Sequence, residues 1–147
     1  MVVAASGAVI VENISTYPVT DFTVADGVAI SKGALLSGSN LRAAVASTDT
    51  TTTQEFVGIA AADKEASDGA TNLGAYTTGI HEMQSVAIIG AEGAITVGDL
   101  VQLSGANTIV KAGAATVFPL SAGVIVGRAQ ESIAAGNSGE VKIGIFN

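Results

Sequence analysis

The 147-residue chain has no cysteine, no tryptophan, one histidine (His81), two prolines, and six basic side chains against thirteen acidic ones. Each shortage excludes something. Without Cys there is neither a disulfide framework nor a thiolate metal site, and one His is too few for most zinc centres. Lys32, Arg42, Lys64, Lys111, Arg128 and Lys142 are scattered through a chain of net charge −7. That leaves no electrostatic footprint for a phosphate backbone or an anionic lipid surface, so nucleic acid and membrane are poor partners. Every apolar run is cut by Gly, Ser or a charge before the roughly 18–20 residues that cross a bilayer. Met1 to Val11 is apolar, but no Lys or Arg precedes the run and Glu12 follows it, which makes a poor secretion signal. The sequence reads as a soluble chain.

What is abundant is small and aliphatic. Apolar residues make up 48% and mean hydropathy is +0.53, yet aromatics are only 4% and much of the apolar count is Ala. The core must be built from Val, Ile, Leu and Ala, each fully buried large aliphatic contributing roughly 1.5–3 kcal/mol. Ala contributes less, which makes help from a partner surface expected.

Short β-branched runs separated by Gly predict an all-β chain. The runs are Val9-Ile10-Val11, Val28-Ala29-Ile30, Val57-Gly58-Ile59, Val86 to Ile89, Leu100 to Leu103, Thr108-Ile109-Val110, Gly123 to Val126 and Val141 to Ile145. Many short strands between tight turns indicate a sandwich or barrel. Ala60 to Ala66 and Gln130 to Ala135 have helix-forming residues but read better as turns.

An internal repeat organises these strands. Ile30-Ser31-Lys32-Gly33-Ala34-Leu35-Leu36 aligns with Ile95-Thr96-Val97-Gly98-Asp99-Leu100-Val101, 65 residues on. Val57-Gly58-Ile59-Ala60 aligns with Val126-Gly127-Arg128-Ala129, Gly69 with Gly136, and Thr78-Gly79-Ile80 with Ile143-Gly144-Ile145, at offsets of 69, 67 and 65. The blocks are collinear, which predicts two similar β units, about 22–80 and 87–146, joined by a connector around His81 to Gln84. A unit of about sixty residues is marginal alone, so one barrel-like domain over 22–147 is expected, with residues 1–21 as an N-terminal arm or added strand.

Candidate chemistry is sparse. His81-Glu82 resembles the start of a zinc-protease pair, but Ser85 stands where the second His belongs; a linker His, at the surface or in a local hydrogen bond, is the plainer reading. Asp63 to Gly69 brings three carboxylates together without the spacing of an EF-hand, and reads as a solvated turn. Gly90 to Gly93 and Gly136 to Gly139 lack the Lys-Ser/Thr of a phosphate loop, and Asn137-Ser138-Gly139 reads as a hairpin turn. No Gly-x-Ser-x-Gly elbow is present. No catalytic, cofactor or metal residues and no small-molecule substrate are assigned; the reading is of a protein that is not an enzyme.

Surface character is what remains. Ala46 to Glu55 is a polar, low-complexity loop, whereas Gly113 to Ser121 is apolar and holds a Pro. Val2, Val3, Val9, Ile10, Val11 and Ile14 of the amino-terminal segment, with Val117, Phe118, Pro119 and Leu120 of the second loop, are the candidate partner-contact residues.

The order of elements resembles the small phage capsid decoration, or cement, proteins of the duplicated β-tulip type. The resemblance rests on Gly27 to Ile30 with Gly33; Phe56 to Ala60; Gly93 to Val101, above all Gly98-Asp99-Leu100-Val101; Gly123 to Ala129; and Gly136 to Ile143. It covers about residues 24–145. It implies a structural virion protein, made in the host cytoplasm and seated on the outer capsid surface as a trimer or monomer. There the arm, residues 2–14, would bridge neighbouring subunits of the major capsid protein, and Val117 to Leu120 would form a second contact or a trimer surface. Lys32 and Ala34 in the first unit depart from Val97 and Asp99 in the second. A different reading is a carbohydrate- or surface-binding β module, although sugar sites favour exposed aromatics and there is no Trp.

Overall fold

Short apolar stretches, many of them rich in β-branched residues and cut by glycine, are too short for helices and suit strands. In the computed structural model, which describes residues 7–12, 19–40, 43–46, 55–85, 94–104, 106–113 and 125–144, they form strands β1 (Val9–Glu12), β2 (Val19–Thr23), β3 (Leu35–Asn40), β4 (Ala43–Ala46), β5 (Glu55–Ala60), β6 (Asn72–Tyr76), β7 (Gly79–Ser85), β8 (Leu100–Leu103), β9 (Thr108–Lys111), β10 (Ile125–Ala129) and β11 (Ser138–Ile143). The chain is all-β; among the described residues there is no helix.

The strands β2-β4-β3-β5-β6 close into a barrel. The second sheet runs β1-β7-β11-β10-β8-β9, and a further β7–β9 pairing turns it back on itself. The two sets pair in the same order, β2 to β6 matching β7 to β11. In each, one parallel contact closes the ring, Thr23↔Ala43 in the first and Gln84↔Thr108 with Ser85↔Ile109 in the second, and every other pairing is antiparallel. Isolated bridges repeat too, Ile30↔Lys64 and Ile95↔Ile133.

Each sheet encloses aliphatic side chains. Phe22, Val24, Ile30, Leu36, Val57 and Leu73, with alanines 34, 60 and 75, fill the first. The second cluster holds Met83, Ile95, Val101, Leu103, Ile109, Val126, Ile133, Val141 and Ile143, and also takes in Leu35 and Ile59 from β3 and β5, with Phe56 and Tyr76 packed against it. Leu35 and Leu36 alternate between the two cores, and a register slip that leaves Val57 as an extra residue in β5 lets Val57 and Ala60 face the first core while Phe56 and Ile59 face the second. β5 is accordingly buried on both faces over Val57–Ala60.

Several expectations need correction. Val28-Ala29-Ile30 contributes only the bridge at Ile30, because Gly27 and the turn at Lys32-Gly33 leave no length for a ladder. The segment His81 to Gln84 is no connector but the middle of β7, with His81, Met83 and Ser85 buried on alternate positions. The tight turn before β11 sits at Ala135-Gly136; Ser138 and Gly139 are already in the strand. Gly139 is needed there, since a Cβ would come within 2.4 Å of the Ile133 Cγ1. Val86 to Ile89 lies outside the described residues.

Within the acidic turn Asp63 to Gly69, Lys64 is 4% exposed. Its ammonium donates to the carbonyls of Asp26 (2.7 Å), Val28 (3.1 Å) and Glu65 (3.0 Å) and meets the Asp68 carboxylate at 3.2 Å. The Ala70 amide and, opposed by partial desolvation, Lys64 hold the Asp68 carboxyl below its ordinary value. The matching position in the second set of strands is Ile133. A buried cation at the end of a long stem thus replaces a core aliphatic and ties two turns together. Lys64→Met keeps the stem but strips the donor from three partly buried hydrogen bonds, and is expected to cost about 3 kcal/mol by guanidinium unfolding. The exposed Lys32→Met should stay within about 0.5 kcal/mol of the parent.

Candidate functional site

The feature that sets the two sets of strands apart is the amino-terminal segment. β1 lies antiparallel on β7, with Val9 opposite Glu82, Ile10 opposite His81 and Glu12 opposite Ile80, and the register slips between Ile10 and Glu12. Ahead of it, Ala8 is buried and its amide donates to the Gly33 carbonyl. The segment therefore ties the first barrel's Ser31–Ala34 turn to the second sheet's β7.

The two equivalent turns show what this contact demands. Gly33 and Gly98 have φ of +86° and +89°, a region that L side chains enter only at a cost. Each amide donates to the equivalent carbonyl, Ala60 and Ala129. A Cβ on Gly33 would lie 2.4 Å from the Ala8 oxygen, whereas one on Gly98 would meet nothing within 4 Å. The Gly98 carbonyl is instead capped by the Arg128 guanidinium at 2.6 Å. The Asp99 carboxylate accepts from the Thr96 amide (2.9 Å) and from Lys111 (3.1 Å). Partial burial would raise its pKa, but these two partners outweigh that and hold it low. The Gly98-Asp99 motif is thus a turn that caps itself.

Beside the Gly33 contact lies a half-open cavity of about 240 Å³, lined by Ala8, Val9, Lys32, Gly33, Ile59, Ala60, Tyr76 and His81. Its walls come from the amino-terminal segment, the 31–34 turn, β5, β6 and β7. His81 is wholly buried, with its ring centroid 5.7 Å from that of Tyr76. Its Nε2 is 3.0 Å from the Thr78 carbonyl. A carbonyl only accepts, so the proton sits on Nε2, and the buried Nδ1 has no partner. Burial pushes the ring's pKa down, and the Thr78 contact opposes this only in part. The ring is therefore a neutral imidazole. Neither a carboxylate nor a hydroxyl bonds Nδ1 among the described residues, and the nucleophile–base arrangement of hydrolases is not what this geometry forms. No group of three or more metal-ligating side chains assembles among the described residues.

Of the candidate contact residues, Val9 to Val11 belong to β1, and Val9 is 59% exposed. Val2, Val3, Ile14 and Val117 to Leu120 lie outside the described residues. The structure brings β1 to His81, Lys32 and Tyr76, none of which composition or spacing marks as its neighbour. Two other large exposed apolar residues, Val19 (42%) and Val97 (58%), are not marked as surface groups by the sequence, because each sits in a run that reads as strand or turn. No protein-family model matches the chain, and no curated protein matches it either.

The paired glycines give a test of the amino-terminal contact. Gly98→Ala should cost about 1–2 kcal/mol, the cost of the left-handed backbone alone. Gly33→Ala carries the same strain and also drives the turn off Ala8, so chemical denaturation should show it less stable than Gly98→Ala by at least about 1 kcal/mol. Equal losses would mean that the Ala8 contact contributes nothing.

Proposed function

We propose that the protein is a decoration protein of a bacteriophage capsid, of the duplicated β-tulip type, which binds the outer shell surface and bridges neighbouring subunits of the major capsid protein. The observation that carries this reading is the repeated pairing order: two five-strand sets, each closed by one parallel contact, in a chain of 147 residues. That is the arrangement expected of a duplicated unit, and it accounts for the collinear sequence blocks. A cement protein acts through area buried across joints between subunits. A standard interface of about 1,600 Å² can be built from many small contacts repeated by symmetry, which suits a surface poor in aromatics.

In this reading the amino-terminal segment has two parts. Residues 7–12 fasten to the body through Ala8 and β1, and Val2 and Val3 supply contacts to the shell. Val117, Phe118, Pro119 and Leu120 supply the second contact or the trimer surface. The protein acts without catalysis, cofactor or small-molecule substrate.

Co-sedimentation with empty phage shells stripped of decoration protein tests the assignment. The parent chain should pellet with the shells. A deletion of residues 2–6, which spares Ala8 and β1, should abolish pelleting while leaving the unfolding midpoint within about 2 °C. A parent chain that stays in the supernatant yet gives a clear hit on a glycan array would replace this reading with that of a carbohydrate-binding module.

A further inference from the structure

The backbone of His81 pairs with β1, its ring is wholly buried, and its one free ring nitrogen has no partner. A proton arriving at Nδ1 would create a full positive charge and a new buried N–H with no acceptor within hydrogen-bond reach. Burying such a group is costly, and the structure must open to hydrate it.

The charged and titratable groups on the surrounding elements offer no relief. Glu82 on β7 and its partner Glu140 on β11 flank the His81–Val141 pair in the register, as does Lys142 opposite Ile80, so the alternation of the sheet sets them on the other face. Lys32, on the turn, is exposed and is itself a cation. Tyr76, on β6, meets the imidazole ring to ring at 5.7 Å between centroids. Glu12 of β1 lies opposite Ile80, not His81.

Of the elements around the ring, β1 is the one held least. It is four residues long, its register slips after Ile10, and Val9 stands 59% exposed. Ala8 and Val9 form one wall of the 240 Å³ cavity that His81 also lines. The other neighbours, β6 and β11, are laddered into closed sheets.

We propose that β1 is an acid-released strap: it holds to β7 while His81 is neutral, and protonation of His81 frees residues 7–12 while the β7–β11 ladder stays intact. Water then enters through the existing cavity and solvates the imidazolium. The sign follows from linkage. With β1 released, the ring takes its ordinary value near 6.5, and with β1 in place it titrates lower. The docked state is thus favoured in full above about pH 6.5 and loses ground about tenfold per pH unit as pH falls below it, until the docked ring also titrates.

Main-chain hydrogen exchange on the full chain between pH 7.5 and 5.0, corrected for intrinsic exchange, tests this. Amides of Val9–Glu12 that bond to β7 should lose protection about tenfold per pH unit below 6.5, while those of β10 and β11 hold. In His81→Gln the β1 protection should be flat with pH. Two results would overturn the proposal: β1 protection unchanged with pH in the parent, or β1 and β11 opening together. Where His81→Gln does not fold, ring nitrogen NMR of the parent decides instead. The His81 titration and the loss of β1 protection should share one midpoint, and an imidazole that titrates beneath a β1 still protected refutes the strap.

Discussion

The two-faced burial of β3 and β5 is the constraint on which the rest of the structure depends. A set of five short strands in about sixty residues encloses little, and alone it buries only about 60% of the surface of its unfolded chain. Here Leu36, Val57 and Ala60 serve the first core, and Leu35, Phe56 and Ile59, one position away, serve the second. Leu35 and Ile59 alone contribute roughly 3–6 kcal/mol between them at full burial. The contact is pinned by a polar bond, the Leu35 amide donating to the Asn107 side chain at 3.0 Å. A wall common to both cores lets a chain poor in aromatics hold two small sheets, and its alanines at 34, 60, 75 and 129 permit the close strand packing that such sheets need.

The parts legible in the sequence were those set by local chemistry. Val57 to Ile59, Leu100 to Leu103, Thr108 to Val110 and Val141 to Ile143 are strands because β-branched residues and glycine boundaries act within a few residues. The matched turns at Gly33 and Gly98 show in the sequence because a left-handed backbone demands glycine. β7 was hidden for the opposite reason: its inward positions include His81 and Ser85, polar groups that a pattern of apolar alternation discards, and Ser85 is satisfied by the Ala134 carbonyl. Gly139 reads as a turn residue, yet its role is steric clearance for Ile133, a contact no local rule contains. Likewise Lys64 looks like part of a solvated charge cluster. The one signal of its burial was its alignment, at an offset of 69, with Ile133.

Where the two sets of strands diverge, the differences cluster on the side toward the amino terminus. The first turn's carbonyl, at Gly33, accepts from the backbone of Ala8, and the second's, at Gly98, from the side chain of Arg128. One position receives a length of chain and the other closes itself. Identical backbone turns thus carry different surfaces: one built into a junction with a cavity and a buried imidazole, the other left with Val97 in solvent. The first unit, in turn, adds the ammonium of Lys64 to the backbone bridge that joins its turns, where the second places the apolar side chain of Ile133 at that position.

The strand pairing also sets an order of assembly during synthesis. Every contact that closes the first barrel lies between residues 19 and 76, so it can form once Tyr76 has cleared the ribosome. At about 5–20 residues per second the second set follows within several seconds. In that interval Leu35, Phe56, Ile59 and Tyr76 face solvent as a bare apolar wall, and β1 waits only for β7 (Gly79–Ser85), the first strand of the second set. β1 can therefore dock before β8 to β11 exist, and the apolar wall is the surface most exposed to misassociation while those strands are being made.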